Sequence, residues 1–238
     1  MQSHFVKLVT FLKGIHYHKA MRTVDLWSEY QSTVDIALES LMRGQIIAVP
    51  TDTIYGIAGL AQNSEATKRI YDIKSRDLSK PIAISVADIE DVYKWGKIHV
   101  PKKLLCDLLP GPVTVVVERS DDLNPDLNPD TSLVGIRIPD STFIRELARV
   151  CKGPLALTSA NISGSLSPLN IKEFENIWHK LDLICDGGPL GNTTSTRQGS
   201  TVVDLSIKGE YKIIREGSAF KSTVDILQTK YKMKERIY

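Results

Sequence analysis

Several short polar clusters carry the residue types that bind and turn over anionic small molecules. Pro50-Thr51-Asp52-Thr53-Ile54-Tyr55-Gly56 sets three short hydroxyl or carboxylate side chains beside Pro and Gly. Such a turn can aim donors and acceptors into a cleft, although a capped β-turn has the same composition. Lys74-Ser75-Arg76 followed by Lys80-Pro81 puts three cations within seven positions. They could clamp a triphosphate, or simply complement a helix dipole. In Gly135-Ile136-Arg137-Ile138-Pro139 a guanidinium interrupts an apolar run, so it must meet a carboxylate or phosphate of the protein or of a ligand. Thr158-Ser159-Ala160-Asn161-Ile162-Ser163-Gly164, running on to Ser167-Pro168, is uncharged and rich in hydroxyls and amides, which suits a sugar, base or phosphate. Gly199-Ser200-Thr201-Val202-Val203-Asp204 and Ile213-Ile214-Arg215-Glu216-Gly217 repeat the theme. The P-loop, G-x-G-x-x-G, H-E-x-x-H and G-x-S-x-G signatures are all absent. Any nucleotide must therefore be held by cationic side chains, helix N-termini and a metal ion rather than by a glycine-rich cradle.

The elements that would position these clusters alternate. The spacing predicts helices over 33–43 (capped by Ser32 or Thr33, stopped by Gly44), 64–74 (capped by Ser64), 88–95, 101–109, 140–151, 171–180 and from about 220. Apolar runs predict strands over 46–49, 82–86, 113–118, 134–138, 155–157, 182–185, 201–205 and 211–215, with an Asn-Pro-rich loop over 119–132. Each polar cluster then falls at a strand end, where open α/β sheets place their ligands. Alternating strands and helices indicate an α/β domain with a helix-covered sheet, and no hydrophilic linker divides the chain.

At 238 residues and 42% hydrophobic content the chain has a globular composition and no apolar run long enough to span a membrane. Its net charge of +2 conceals an uneven distribution. Residues 1–24 hold Lys7, Lys13, Lys19 and Arg22 without an acid, and residues 229–238 hold four bases against Glu235. The remainder, 25–228, has 22 basic and 27 acidic residues, which argues against a nucleic-acid-binding body. We divide the chain accordingly into a basic leader (1–24), one globular domain (25–228) and a basic tail (229–238). The leader suits either a solvated tail or a mitochondrial presequence that initiation at Met21 would bypass, so cytoplasmic and mitochondrial forms are both expected. Cys106, Cys151 and Cys185 form no C-x-x-C pair and read as buried, inert thiols of a reducing compartment. His16-x-His18 finds no further ligand nearby, and no metal site is expected of the protein itself.

Six motifs in order resemble the YrdC family of threonylcarbamoyl-AMP synthases: Pro50–Gly56, Lys74-x-Arg76-x-x-x-Lys80-Pro81, Pro110-Gly111-Pro112-Val113-Thr114, Ile136–Pro139, Thr158–Asn161 and Ser200–Asp204. The resemblance covers residues 30–228. It implies a twisted, partly open mixed α/β sheet flanked by helices around a concave, positively lined cavity. It also implies condensation of L-threonine, bicarbonate and ATP into threonylcarbamoyl-AMP and pyrophosphate, the first step toward N6-threonylcarbamoyladenosine in tRNA. Mg²⁺ would accompany ATP, and a separate tRNA threonylcarbamoyl transferase (a KEOPS-type complex or its mitochondrial equivalent) would take the product.

By motif position the resemblance assigns catalytic roles to Lys74, Arg76, Lys80 and Arg137. Thr53, Ser85, Arg137, Leu157, Thr158 and Thr201 would contact L-threonine. Arg76, Lys80, Leu133, Ser159, Asn161, Ser167 and Arg215 would contact ATP. Asp77 replaces a common Pro after Arg76, and Ser85 replaces a larger polar residue of some relatives. A lid would come from the tail or the loop 187–199. Two other readings stand beside this one. A carbamoyl-transfer module of the hydrogenase-maturation kind lacks its zinc-binding cysteines here. A non-catalytic RNA-binding or ribosome-associated protein would use the same cationic cleft for weak RNA binding.

Overall fold

The computed structural model describes residues 22–75, 80–191 and 195–237. Twelve strands are present among the described residues: β1 (Arg22–Asp25), β2 (Ile47–Pro50), β3 (Tyr55–Leu60), β4 (Ala83–Ser85), β5 (Gly96–Lys97), β6 (Val113–Arg119), β7 (Leu133–Arg137), β8 (Leu155–Ser159), β9 (Leu183–Asp186), β10 (Thr201–Asp204), β11 (Glu210–Arg215) and β12 (Lys234–Glu235). They pair in the order β1-β9-β2-β3-β8-β4-β7-β6-β10-β11-β12, with β5 added to β6. Pairings are parallel for β1–β9, β2–β9, β4–β7, β6–β10 and β11–β12, and antiparallel elsewhere. The sheet is mixed, twisted and open, as the family resemblance implies.

Among the described residues six α-helices flank it: α1 (Tyr30–Met42), α2 (Ser64–Lys74), α3 (Ile89–Trp95), α4 (Lys102–Leu108), α5 (Thr142–Val150) and α6 (Phe220–Asp225). The local reasons differ in places from the expected ones. Thr33 does not cap α1; its hydroxyl bonds back to the Glu29 carbonyl, so the helix starts a turn earlier. Asn63, not Ser64, caps α2, with Oδ1 accepting from Ala66 N at 3.0 Å. Ser64 instead donates to Asp126. Residues Ile171–Lys180 form 3₁₀ turns kinked at Phe174 rather than a regular helix.

Period-two alternation explains where the core ends and the cleft begins. Ile84, Val115, Ile136, Ala156 and Val203 point into the main apolar core with α2 and α4. The alternate positions Ala83, Thr114, Gly135, Arg137, Leu157 and Val202 line a concave surface on the opposite side. That same side is covered by α1 and α5 farther along, through Val34, Leu41, Phe143, Ile144 and Leu147 against Ile47, Val49 and Leu155. The cleft is thus the stretch of sheet that the helices leave uncovered.

Two expected boundaries shift. Strand β1 takes in Arg22 to Val24 of the leader; residues 1–21, including His16, His18 and Met21, lie outside the described residues. The tail packs as well. Lys230 and Tyr231 bind Asp107, Arg236 binds Asp204, and β12 lies along β11. Cys185 is buried and Cys151 half-buried, but Cys106 is exposed, contrary to the expectation of three buried thiols. Among the described residues no helix is long and apolar enough to cross a membrane.

Candidate active site

The cleft holds about 510 Å³. Its cations are Lys80, Arg137 and Arg215, and no Asp or Glu is among the described residues that line it. Arg137 ends β7 directly opposite Ser85 of β4, on the open side of the sheet, and only 7% of it is exposed. Its Nη2 donates to Asp52 Oδ1 (2.5 Å) and Thr53 Oγ1 (3.1 Å), and its Nε to the Gly111 carbonyl (3.3 Å). The Pro50–Gly56 turn delivers these partners because Thr51 Oγ1 folds back, accepting from Thr53 N and Ile54 N and donating to the Ile54 carbonyl.

Burial pulls the Arg137 guanidinium below the ordinary arginine value; Asp52 opposes this, and the positive charge of Arg215 adds to it. A cation in that position is stabilised by an arriving anion. Arg215 reaches in from β11, its Nη2 donating to the Ser200 carbonyl at 2.7 Å and to Ser200 Oγ at 3.2 Å. Ser200 Oγ lies 2.8 Å from Thr114 Oγ1, so β6, β10 and β11 are joined at the cleft wall.

The other wall is the 158–168 loop. Lys74, from the end of α2, is buried behind it and donates to the Ser159 carbonyl (2.6 Å) and Asn161 Oδ1 (2.8 Å). Ser159 Oγ in turn donates to Asn161 Oδ1 at 2.5 Å. Close approach of β3 to β8 requires Gly56, where a Cβ would lie 2.7 Å from Leu157 Cδ1 and 3.1 Å from the Thr158 carbonyl.

Among the described residues, four buried side-chain atoms have no hydrogen-bond partner: Asp52 Oδ2, Ser85 Oγ, Thr201 Oγ1 and Thr223 Oγ1. Buried polar atoms in folded proteins are nearly always satisfied. Asp52 is bonded to Arg137, Ser85 pairs with it across the strands, and Thr201 follows the cleft residue Ser200.

The structure therefore brings Lys80, Leu133, Arg137, Leu157, Thr158, Ser159, Ser167 and Arg215 to the cleft. Thr53 joins through Arg137, and Lys74 and Asn161 stand behind the loop. Ser85 and Thr201 are buried beside the cleft without lining it. Arg76 and Asp77 lie outside the described residues. Asp52, Thr114 and Ser200 lie within the motifs, but residue type and spacing alone give them no individual role. Alternation from Val202 was the available sign for Ser200, and only the fold could pair Asp52 with Arg137. Groups of three or more His, Cys, Asp or Glu that could hold a metal are absent among the described residues.

A family model described as Sua5_yciO_yrdC, Telomere recombination, matches residues 39–217. The chain belongs to the Sua5/YciO/YrdC family. Similar proteins include the Homo sapiens threonylcarbamoyl-AMP synthase, 51% identical over 207 residues that make up 86% of this chain and 73% of that protein. Another is the Bos taurus threonylcarbamoyl-AMP synthase, 52% identical over 85% of this chain and 73% of that protein. Among solved structures, P. abyssi Sua5 complexed with L-threonine superposes with a TM-score of 0.77 at 27% identity, covering 90% of this chain and 62% of that one. This Sua5/YciO/YrdC chain thus spans less than two thirds of that longer relative. E. coli YciO, at 22% identity and a TM-score of 0.72 over 82% of this chain and 93% of its own, shares the fold.

Proposed function

We propose that the protein is an L-threonylcarbamoyladenylate synthase, a nucleotidyltransferase. The observation that carries this reading is the buried Arg137, bonded to Asp52 and paired across the strands with Ser85, where Asp52 Oδ2 and Ser85 Oγ have no partner among the described residues. A small ligand bearing a carboxylate, an amine and a hydroxyl offers a partner for each type. L-Threonine is such a ligand, and it is the one named with the P. abyssi Sua5 structure. Arg137 would take its carboxylate through the guanidinium donors that Asp52, Thr53 and Gly111 leave over. The polar loop at Ser159, with Leu133, Ser167, Lys80 and Arg215, would take ATP.

In the reaction the threonine nitrogen bonds to the bicarbonate-derived carbon, and water is lost. A carbamate oxygen then bonds to the α-phosphorus as the bond to the β-phosphate bridging oxygen breaks and pyrophosphate leaves. Positioning and charge stabilisation supply most of the catalysis in such transfers, which suits a cleft of hydroxyls and cations. Lys74 would act by setting Ser159 and Asn161, and Arg76 by its motif position. Mg²⁺ would arrive with ATP, coordinated mainly by phosphate oxygens and water.

The product would pass to a tRNA threonylcarbamoyl transferase, of the KEOPS type in the cytoplasm or its mitochondrial counterpart. The acid-free leader supports a mitochondrial share, which a C-terminal tag would locate. Incubation with ATP, Mg²⁺, L-threonine and bicarbonate should release pyrophosphate and yield the threonylcarbamoyl-adenylate mass. Arg137→Ala or Lys80→Ala should each cut formation by at least about 100-fold. Product forming equally well without threonine would sink the proposal. Salt-sensitive RNA binding that survives both substitutions, without adenylate formation, would favour the RNA-binding reading instead.

A further inference from the structure

Two segments that line the cleft, one at Ser167 and one at Gln198–Ser200, are far apart in sequence and belong to different loops. A single side chain ties them together. Arg197 Nη1 donates to the Ser167 carbonyl at 2.8 Å and to Glu173 Oε2 at 2.5 Å, while Nη2 donates to Glu173 Oε1 at 3.1 Å. Glu173 is itself anchored. Its Oε2 accepts from Leu169 N at 3.2 Å and its Oε1 from Asn170 Nδ2 at 2.7 Å. The Arg197 guanidinium holds the Glu173 carboxyl below the usual glutamate range.

The 167–170 segment is fixed from the other side by Tyr55 N on the Pro168 carbonyl and Leu190 N on the Leu169 carbonyl, both at 2.9 Å. Beyond Arg197, the Gly199 carbonyl accepts from Ser218 N and Oγ, and the Ser200 carbonyl accepts from Arg215. Arg197 thus holds Ser167, and three residues along the same segment Ser200 holds Arg215.

An isolated surface ion pair would carry little. This one is a two-pronged fork with a third bond to a backbone carbonyl, and its side chains are only 27% and 30% exposed. Ser167 and, beyond Ser200, Arg215 are the residues assigned above to ATP. The geometry points to Arg197, with Glu173, as a positioning pair that sets the spacing of the nucleotide half of the site. This rests on the assignment of that half to ATP. Sequence alone gave no sign of it, because Arg197 and Glu173 belong to none of the motifs.

The test is a double-mutant cycle with Arg197→Ala, Glu173→Ala and both together, with Arg197→Lys as the conservative variant. ATP dissociation constants would be measured by calorimetry without threonine, and KM for ATP and for threonine by adenylate formation. Each single substitution should weaken ATP about tenfold, and the double no more than either. Lys, lacking the fork, should restore only part. Threonine KM and the melting temperature should hold. Unchanged ATP affinity, fully additive losses, or equal weakening of ATP and threonine would overturn the assignment. A wild-type protein that binds ATP but makes no adenylate would defeat the proposed reaction, while the calorimetric cycle would still decide the role of Arg197.

Discussion

Asp52 Oδ1 lies 2.5 Å from Arg137 Nη2, and their side chains are only 10% and 8% exposed. The pair joins the turn after β2 to the end of β7, elements that are not neighbours in the sheet. Removing one member leaves a desolvated charge, which costs about 3–5 kcal/mol for a buried pair. Asp52→Ala should therefore lower the urea midpoint strongly, whereas Asp52→Asn, which keeps an acceptor at Oδ1, should lose less. Equal midpoints for Asp52→Ala and wild type would show that the pair is not a structural necessity.

Thr201 separates binding from stability. Its Oγ1 is buried with no partner among the described residues, so Thr201→Val removes an unsatisfied group of nearly the same volume. The melting temperature should hold or rise, while threonine KM rises about tenfold through loss of a ligand hydrogen bond. Ser85→Ala should behave alike. A fall in melting temperature with unchanged threonine KM would assign both hydroxyls to the fold instead.

Gly217 packs where a side chain has no room. A Cβ there would lie 2.3 Å from both Ser200 C and Thr201 N, and these are backbone atoms that cannot swing aside. Gly217→Ala should cost about 1–3 kcal/mol or more in denaturant unfolding and should weaken ATP as Ser200 moves. Gly209, with no atom within 4 Å of its Cβ position, supplies a comparison in which only its φ of +79° opposes a side chain.

Acid should loosen the contact between α5 and the start of α3. Asp88 is held below its usual range chiefly by the hydrogen bond from Arg149, and also by Arg145, against a smaller opposing effect of burial. A carboxylate depressed in the folded state contributes stability above its unfolded value of about 3.9, and that contribution vanishes as pH falls through the folded one. The stability gap between wild type and Asp88→Asn should be constant above about pH 5 and shrink as the pH falls through the depressed folded value. A gap that persists at the acid end would assign the difference to the N-terminus of α3, where the Asp88 backbone donates to Asp91.

Long apolar or strongly periodic runs were legible in the sequence; α2, β6 and β9 lie within a residue of where they were expected. Strand β3 was not. Tyr-Gly-Ile-Ala-Gly-Leu carries two glycines, which weaken strand propensity, and its polar approach reads as a turn. Yet both glycines are what the packing demands, since a Cβ at Gly59 would lie 2.7 Å from Ile46 Cδ1. The motif residues of the site were legible as types and spacing. Their connections were not, because Asp52–Arg137, Lys74–Asn161 and Arg197–Ser167 each join residues at least thirty positions apart. The buried Asn128 shows the same limit within the Asn-Pro loop. It bonds Tyr71 and both backbone groups of Ile82, at the head of β4.

Strand order also bears on the moment at which the protein can fold. The first strand and β2 touch one another only through β9, and β3 reaches β4 only through β8. A ribosome that has delivered the first hundred residues has therefore made strands whose neighbours do not yet exist. Their edges must wait, exposed to chaperones or to other nascent chains, until residue 186 has cleared the exit tunnel. The sheet is closed from its middle by late arrivals, so synthesis interrupted anywhere before β9 should leave an aggregation-prone fragment rather than a smaller stable domain.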